Sequence, residues 1–116
     1  MNLETIQPYL LPAGVAAYLL VRHFRFSAAK GRLPALAQQG AVFVDVRTPE
    51  EFAAGNKPGS LNIPLDEIAE KAAKLDKTRP IILSCASGAR SGAAMSILKN
   101  LGFSSVTNAG PWQNTL

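Results

Sequence analysis

The sequence predicts an α/β fold in which a mostly parallel central sheet is flanked by helices on both faces. Two short runs rich in apolar and β-branched residues, 41–46 and 81–84, have the length and continuity of buried parallel strands. Stretches with helical spacing of apolar residues alternate with these runs along the chain. The 116 residues fit one domain, and a composition of 47% apolar and 17% charged residues is typical of globular proteins. We therefore expect a single hydrophobic core.

The N-terminal segment, residues 1–26, is predicted to be an apolar helix that precedes the domain formed by residues 27–116. Residues 5–21 are 17 consecutive uncharged positions, which is the lower limit for a helix that spans a bilayer and would make this segment a membrane anchor. By the positive-inside rule, the basic residues that follow would then place the domain in the cytoplasm, on the inner face of the membrane. These residues are Arg22, His23, Arg25, Lys30 and Arg32. The alternative is a soluble helix that packs on the domain or on a second copy of it, and the sequence leaves the choice and the oligomeric state open.

The charge and cysteine content exclude several classes of function. Of the net charge of +4, residues 1–32 contribute +3, because four Lys and Arg residues stand there against Glu4. A local cluster beside an apolar run is not the basic stripe of a nucleic-acid-binding domain, so no nucleic-acid partner is expected. A single cysteine cannot form an internal disulfide, which favours a reducing compartment such as the cytoplasm. One cysteine and one histidine also cannot build a typical zinc site, and no metal or other cofactor is expected.

The individual elements follow from local signals. Ser27 is predicted to be the N-cap of a helix that stops at Gly40, and Thr48-Pro49-Glu50-Glu51 is a capping box that begins a short helix ending at Gly55. The remaining elements are predicted as a short strand at 60–63, a helix at 66–75, a strand at 81–84, a helix at 91–101 and a strand at 105–107. The residues predicted to face inward are Ile68, Ala69, Ala72, Ala73 and Leu75 in the first of these helices, and Ala94, Ile97, Leu98 and Leu101 in the second.

The single cysteine, Cys85, follows the buried strand directly and precedes a helix, so it is predicted to lie at the carboxyl edge of the sheet, where α/β folds bind ligands. The residues after it are small, which allows successive backbone N–H groups to curl around one point. Those amides, the positive end of the following helix and the cation of Arg90 would all stabilise a thiolate, the reactive form of cysteine. This pattern predicts a nucleophile in an electropositive loop that suits an anionic substrate with an electrophilic sulfur.

Three motifs, in this order and spacing, resemble the rhodanese (sulfurtransferase) family. They are Asp45-Val46-Arg47-x-x-x-Glu51-Phe52-x-x-Gly55, Pro58-Gly59-Ser60-x-Asn62-Ile63-Pro64 and Cys85-x-x-Gly88-x-Arg90-Ser91. The closing Asn108-Ala109-Gly110-Pro111-Trp112 is similar to that family's terminal glycine-tryptophan element. The resemblance covers roughly residues 27 to 116. It implies a three-layer α/β domain and a cysteinyl persulfide intermediate. The implied sulfur donors are thiosulfate or a persulfide, and the implied acceptors are cyanide or a cellular thiol.

The resemblance also implies the roles of individual residues. Cys85 would be the nucleophile, and Asp45 with Arg47 would form an ion-pair network that supports the binding loop. The loop that would bind the donor through its backbone N–H groups consists of Ala86, Ser87, Gly88, Ala89, Arg90 and Ser91. The chain departs from the family pattern at Asn56 and Lys57, where relatives usually carry a histidine and an aliphatic residue. The loop also has no cation besides Arg90, which weakens the expectation of thiosulfate as the donor.

Two other functions fit parts of the pattern. Cysteine-dependent phosphatases and arsenate reductases also place a cysteine and an arginine around an anion. Only four residues separate Cys85 from Arg90, however, and related phosphatase loops are one residue longer, so the short loop favours sulfur over a phosphoryl group. The other alternative is a docking or regulatory module that keeps the fold without the chemistry. The intact Cys85, Gly88, Arg90 and Ser91 argue against that alternative.

Overall fold

The fold is a four-stranded parallel sheet between two layers of helices, as the sequence predicts. A computed structural model describes residues 3–116. The elements are, in chain order, α1 (Leu3–Gln38), β1 (Val42–Asp45), α2 (Pro49–Ala54), β2 (Leu61–Asn62), α3 (Ile68–Lys71), β3 (Ile81–Cys85), α4 (Ala89–Asn100) and β4 (Val106–Pro111). Single 3-10 turns at Leu65–Glu67 and Ala72–Lys74 flank α3, and another at Trp112–Thr115 follows β4. The strand order is β2-β1-β3-β4, and all neighbouring strands are parallel.

Alternate residues of the central strand β3 face the two sides of the sheet. Ile81, Leu83 and Cys85 lie in the larger core, together with residues of α3 and α4. Ile82 points to the opposite side, where it packs with Leu33 of α1 and with Ala109. This period of two assigns the C-terminal part of α1 to one layer and α3 with α4 to the other.

Helix α1 is a single element that continues through the predicted start of the domain. Ser27 therefore does not begin a helix, and the predicted boundary between residues 26 and 27 falls inside α1. The C-terminal part of α1 packs on the domain through Ala29 and Leu33, both buried. A helix of 36 residues is about 54 Å long at about 1.5 Å per residue. This length accounts for the 57 Å long axis of a molecule that measures 29 Å in its other two directions.

The N-terminal part of α1 projects from the domain. Most of its large apolar side chains are at least half exposed: Tyr9, Leu10, Leu11, Val15, Tyr18, Leu19, Leu20, Val21 and Phe24. No helix within residues 3–116 combines the length and the hydropathy that a membrane span requires. The C-terminal part of α1 packs on the domain, as the alternative to a membrane span predicts.

The capping box is confirmed, whereas two predicted inner faces are partly wrong. Thr48 caps α2 and exchanges hydrogen bonds with Glu51, and Gly55 is the C-cap. Residues 66–75 form one α-helical turn between two 3-10 turns, and this change of pitch leaves Ala69 and Ala73 exposed while Ile68, Ala72 and Leu75 are buried. In α4, Ala94 and Leu98 are buried as predicted. Ile97 is half-buried, and Leu101, which caps the helix end, is 41% exposed.

Leu98 and Leu101 provide a test of this packing. Leu98 has no exposed surface, so Leu98→Ala is expected to lower the free energy of unfolding by about 2–5 kcal/mol through lost burial and a cavity. Leu101→Ala, on the same predicted face, is expected to cost less than about 1 kcal/mol because that side chain is already partly solvated. Urea unfolding measures the free energy of unfolding of both variants, and an unchanged m-value shows that the two values can be compared with that of the unaltered chain. Equal losses of stability in the two variants would contradict the observed orientation of α4.

Candidate active site

Cys85 is the last residue of β3, and its side chain is fully buried. The three-residue loop that follows leads directly into α4, whose first residue is Ala89, two positions earlier than predicted. Gly88 caps the helix with a φ of +97°, a left-handed conformation that side chains other than glycine rarely adopt. The glycine thus lets the chain reverse sharply and begin a helix next to the sulfur atom, with the positive end of the helix beside it.

Hydrogen-bond donors converge on the Cys85 sulfur, as the small loop residues predict. The backbone N–H of Gly88 donates to Sγ over 2.9 Å, and the Ser91 hydroxyl lies 3.3 Å from Sγ. Burial raises the pKa of the Cys85 thiol, but hydrogen bonds from the Ser91 hydroxyl and from the backbone N–H groups of Ser91, Ser87 and Gly88 outweigh burial and bring the pKa below its ordinary value. The loop therefore favours the thiolate.

The Ser91 hydroxyl faces two acceptors with one hydrogen. Asn108 Oδ1 lies 2.7 Å from Ser91 Oγ, closer than the Cys85 sulfur. While the sulfur is protonated, the hydroxyl can donate to Asn108 and accept from the S–H group; once the proton leaves, the hydroxyl can rotate and donate to the thiolate. Ser91 can therefore satisfy both protonation states without movement of the backbone.

Asn108 holds the loop against β4. Its side-chain amide donates to the Gly88 carbonyl over 3.0 Å, and its Oδ1 also accepts the backbone N–H of Gly110 over 2.9 Å. The pairing register between β3 and β4 shifts here: Leu83 pairs with Asn108, and Cys85 pairs with Pro111. The extra residue of β4 and the φ of +79° at Gly110 form a local irregularity of the kind that redirects side chains next to active sites. The sequence predicts no role for Asn108, which is the first residue of the closing motif Asn108-Ala109-Gly110-Pro111-Trp112.

Arg90 is paired with a carboxylate. Its guanidinium donates to both carboxylate oxygens of Glu51, over 2.6 and 2.9 Å. These bonds, together with those from Thr48, lower the pKa of Glu51 to about 2, so Glu51 stays ionised throughout the neutral range. The hydrogen bonds to Glu51 raise the pKa of Arg90, and the negative charge of Cys85 adds to this in a smaller way. The predicted cation is thus near the sulfur, but its charge is largely compensated.

The predicted pair of Asp45 and Arg47 is buried and bidentate. Arg47 Nη2 lies 2.7 Å from Asp45 Oδ2, and Arg47 Nε donates to the same carboxylate. Arg47 also donates to the carbonyls of Glu51 and Gly55, and its guanidinium stacks on the Trp112 ring at 4.9 Å. These bonds fix α2 rather than residues 86–91 themselves. The connection to the loop runs through the side chain of Glu51 to Arg90.

Asn56 and Lys57, where the chain departs from the family pattern, have local contacts. Asn56 donates its side-chain amide to the Phe52 carbonyl over 2.8 Å and so extends the end of α2. The Lys57 ammonium lies 4.6 Å from the centre of the Phe43 ring. Neither contact involves residues 85–91.

A second cation, which is not predicted from the sequence, reaches the loop from α1. Arg22 Nη2 donates to the Ser87 carbonyl over 2.6 Å, across 65 positions of the chain. A cavity of about 360 Å³ separates this part of α1 from the loop, and its lining includes Arg22, Arg25 and Gly88. Residues 86–91 themselves carry no cation besides Arg90, but the structure adds Arg22 of α1 as a second cation beside them. From the sequence alone, Arg22 is one of five basic residues that indicate only an orientation in a membrane.

Comparison with known proteins places this chain in a family. The model of the rhodanese-like domain matches residues 30–109. The chain belongs to the rhodanese-like domain family. Thiosulfate sulfurtransferase PspE of Escherichia coli is 39% identical over 70 residues, which are 59% of this chain and 67% of that protein. Thiosulfate sulfurtransferase GlpE of Pseudomonas savastanoi is 39% identical over 72 residues, which are 62% of this chain and 68% of that protein.

Solved structures agree with the fold. A rhodanese with anions from E. coli superposes with a TM-score of 0.61 at 36% identity, and the match covers 64% of this chain and 89% of the E. coli chain. The human single-domain sulfurtransferase TSTD1 gives a TM-score of 0.60 at 30% identity, over 72% of this chain and 88% of its own. The resemblance predicted from the motifs is therefore confirmed, and so is the three-layer fold that it implies.

The role of Ser91 is tested by the thiol alone. Ser91→Ala is expected to slow alkylation of Cys85 by iodoacetamide about tenfold near neutral pH, because the thiolate loses one hydrogen bond from a side chain. The rate-against-pH curve should move to higher pH, since a raised pKa leaves less thiolate at a given pH. Ser87→Ala is the matched control: Ser87 contributes its backbone N–H, which alanine keeps. A curve that moves equally in both variants would contradict the role of the Ser91 hydroxyl.

Proposed function

We propose that the chain moves sulfane sulfur from an anionic donor, thiosulfate or a persulfide, through a persulfide on Cys85 to a thiophilic acceptor such as cyanide or a cellular thiol. The enzyme class, a rhodanese-type sulfurtransferase, agrees with the family and with relatives named thiosulfate sulfurtransferases. The observation that carries the proposal is the set of donors converging on Cys85 Sγ, led by the Gly88 N–H at 2.9 Å.

The reaction consists of two sulfur transfers. In the first, the Cys85 thiolate attacks the outer sulfur of thiosulfate. A new S–S bond forms, the S–S bond of the donor breaks, and sulfite leaves with the electron pair. In the second, cyanide attacks the terminal sulfur of the persulfide, the Cys85 S–S bond breaks, and thiocyanate leaves with the thiolate restored. Both transfers conserve charge and need no further oxidant or reductant. Because Cys85 is the only cysteine, an external acceptor must remove the sulfur.

The loop can serve both steps with the same groups. The backbone N–H donors that stabilise the thiolate can also stabilise the negative charge of a persulfide, which carries it one atom further out. The donor must still reach the sulfur, because Cys85 has no exposed surface in this structure. Ala86 and Ser87 beside it are exposed, so we propose that the donor approaches the sulfur from this side of the loop.

Intact-mass spectrometry tests the proposal. The reduced full-length chain is incubated with thiosulfate or with a thiol persulfide, and then with excess cyanide. We expect a gain of one sulfur atom that cyanide removes with release of thiocyanate. Cys85→Ser should remain folded and gain nothing, because a hydroxyl cannot form the persulfide. If neither donor adds sulfur to a folded, reduced chain, a docking module without catalytic activity becomes the better interpretation.

The pairing of Arg90 predicts how charge affects the donor. Glu51→Gln keeps a side chain that can complete the capping box but removes the charge that compensates Arg90. The KM for thiosulfate is therefore expected to fall about two- to fivefold, the range typical of one partly exposed charge. Glu50→Gln is the control, because it removes an equal charge from an exposed neighbouring position on the same helix. An unchanged KM in Glu51→Gln, or an equal fall in both variants, would contradict a role for the Arg90 charge in donor binding.

A further inference from the structure

Helix α1 is hydrogen-bonded to the peptide unit between Ser87 and Gly88, in the loop after Cys85. The carbonyl of Ser87 and the N–H of Gly88 belong to the same peptide group, and in a trans peptide they point in opposite directions. The N–H donates to the Cys85 sulfur over 2.9 Å. The carbonyl accepts from Arg22 Nη2 over 2.6 Å. This peptide group is thus held between the reactive sulfur on one side and a guanidinium on the other.

We infer that Arg22 is a positioning residue for sulfur transfer, which orients and polarises the Ser87–Gly88 peptide so that its N–H points at Cys85. A positive charge that binds a carbonyl draws electron density toward the oxygen and makes the N–H of the same peptide a stronger donor. A short charge-assisted bond also restrains rotation of the peptide in a loop where Gly88 would otherwise permit many conformations. The inference deepens the proposed function and rests on it for its catalytic meaning.

The position of Arg22 is fixed by its neighbour one helical turn later. Phe26 packs on both glycines of the site: a Cβ added to Gly110 would come within 2.8 Å of Phe26 Cγ, and one added to Gly88 would also clash with the ring. Only glycine at these two positions lets the ring approach. The Arg22 guanidinium lies 5.1 Å from the centre of the same ring, which favours the side-chain direction that leads to Ser87.

Alternative explanations for Arg22 account for less of the geometry. A surface arginine that only adds positive potential would act over a distance and need no contact with the loop. Arg25, on the same helix, is such a residue: it lines the same cavity, but no hydrogen bond from it to the loop is present among residues 3–116. Arg22 and Arg25 therefore separate the effect of a directed hydrogen bond from that of charge alone.

The test measures the pH dependence of Cys85 alkylation in the full-length chain, which needs no sulfur donor. Arg22→Gln is expected to slow alkylation near neutral pH about three- to tenfold, as when one hydrogen bond to a thiolate is weakened, and to move the rate curve to higher pH. Arg22→Lys should restore part of the rate, because an ammonium can still donate to the Ser87 carbonyl. Arg25→Gln should leave the curve close to that of the unaltered chain.

Two results would overturn the inference. One is an unchanged curve for Arg22→Gln with urea unfolding and circular dichroism like those of the unaltered chain. The other is an equal displacement by Arg25→Gln, which would mean that charge alone acts. If Arg22→Gln unfolds the chain, Arg22→Lys and Arg25→Gln still decide, because a positioning role requires Arg22→Lys to slow alkylation in part while Arg25→Gln leaves the curve unchanged. Failure of sulfur loading in the unaltered chain would instead contradict the proposed function and leave the alkylation result intact.

Discussion

The hydrogen bonds that converge on the Cys85 sulfur are the interaction on which the rest of the site depends. A thiol fully enclosed by protein is normally held neutral, because burial penalises the thiolate. Here the donors outweigh burial. Each neighbouring feature supplies or fixes one of them: Gly88 permits the sharp reversal into α4, Asn108 holds the Gly88 carbonyl, and Ser91 adds a hydroxyl that can turn toward the sulfur. The chemistry therefore rests on backbone geometry more than on charged side chains.

Charged residues form a second set of contacts around this centre, and most are compensated. Asp45 and Arg47 are paired and buried beneath α2, and Glu51 neutralises Arg90. Removing one member of a buried pair leaves an uncompensated charge, so such pairs fix geometry more reliably than they stabilise the fold. Arg22 differs from these residues because it donates to a backbone carbonyl, that of Ser87, rather than to a carboxylate. Its positive charge is thus directed at the loop, and this distinguishes it from the arginines of the family motifs.

Local signals in the sequence were enough for the sheet and the loop, but not for the contacts between distant segments. The capping box at Thr48, the apolar strands and the spacing of Cys85, Gly88 and Arg90 are patterns within a few residues, and each agrees with the structure. Arg22 with Ser87 and Arg90 with Glu51 are 65 and 39 positions apart, and no periodicity encodes which distant groups meet. Ser27 shows that a local signal can also be wrong: serine is a common N-cap residue, but α1 continues through this position. The motifs were enough to predict the family, whereas the contact between α1 and the loop is visible only in the three-dimensional structure.

The site depends above all on one property: its loop lowers the pKa of Cys85 below that of an ordinary cysteine and so favours the thiolate. The most direct measurement is a pH titration of the thiolate ultraviolet absorbance of the reduced chain, with Cys85→Ser subtracted to remove the tyrosine contribution. We expect a single transition whose midpoint lies below that of a cysteine in a short unstructured peptide measured in the same buffer. A midpoint at or above the peptide value would mean that burial dominates, and it would contradict the role assigned to the converging donors.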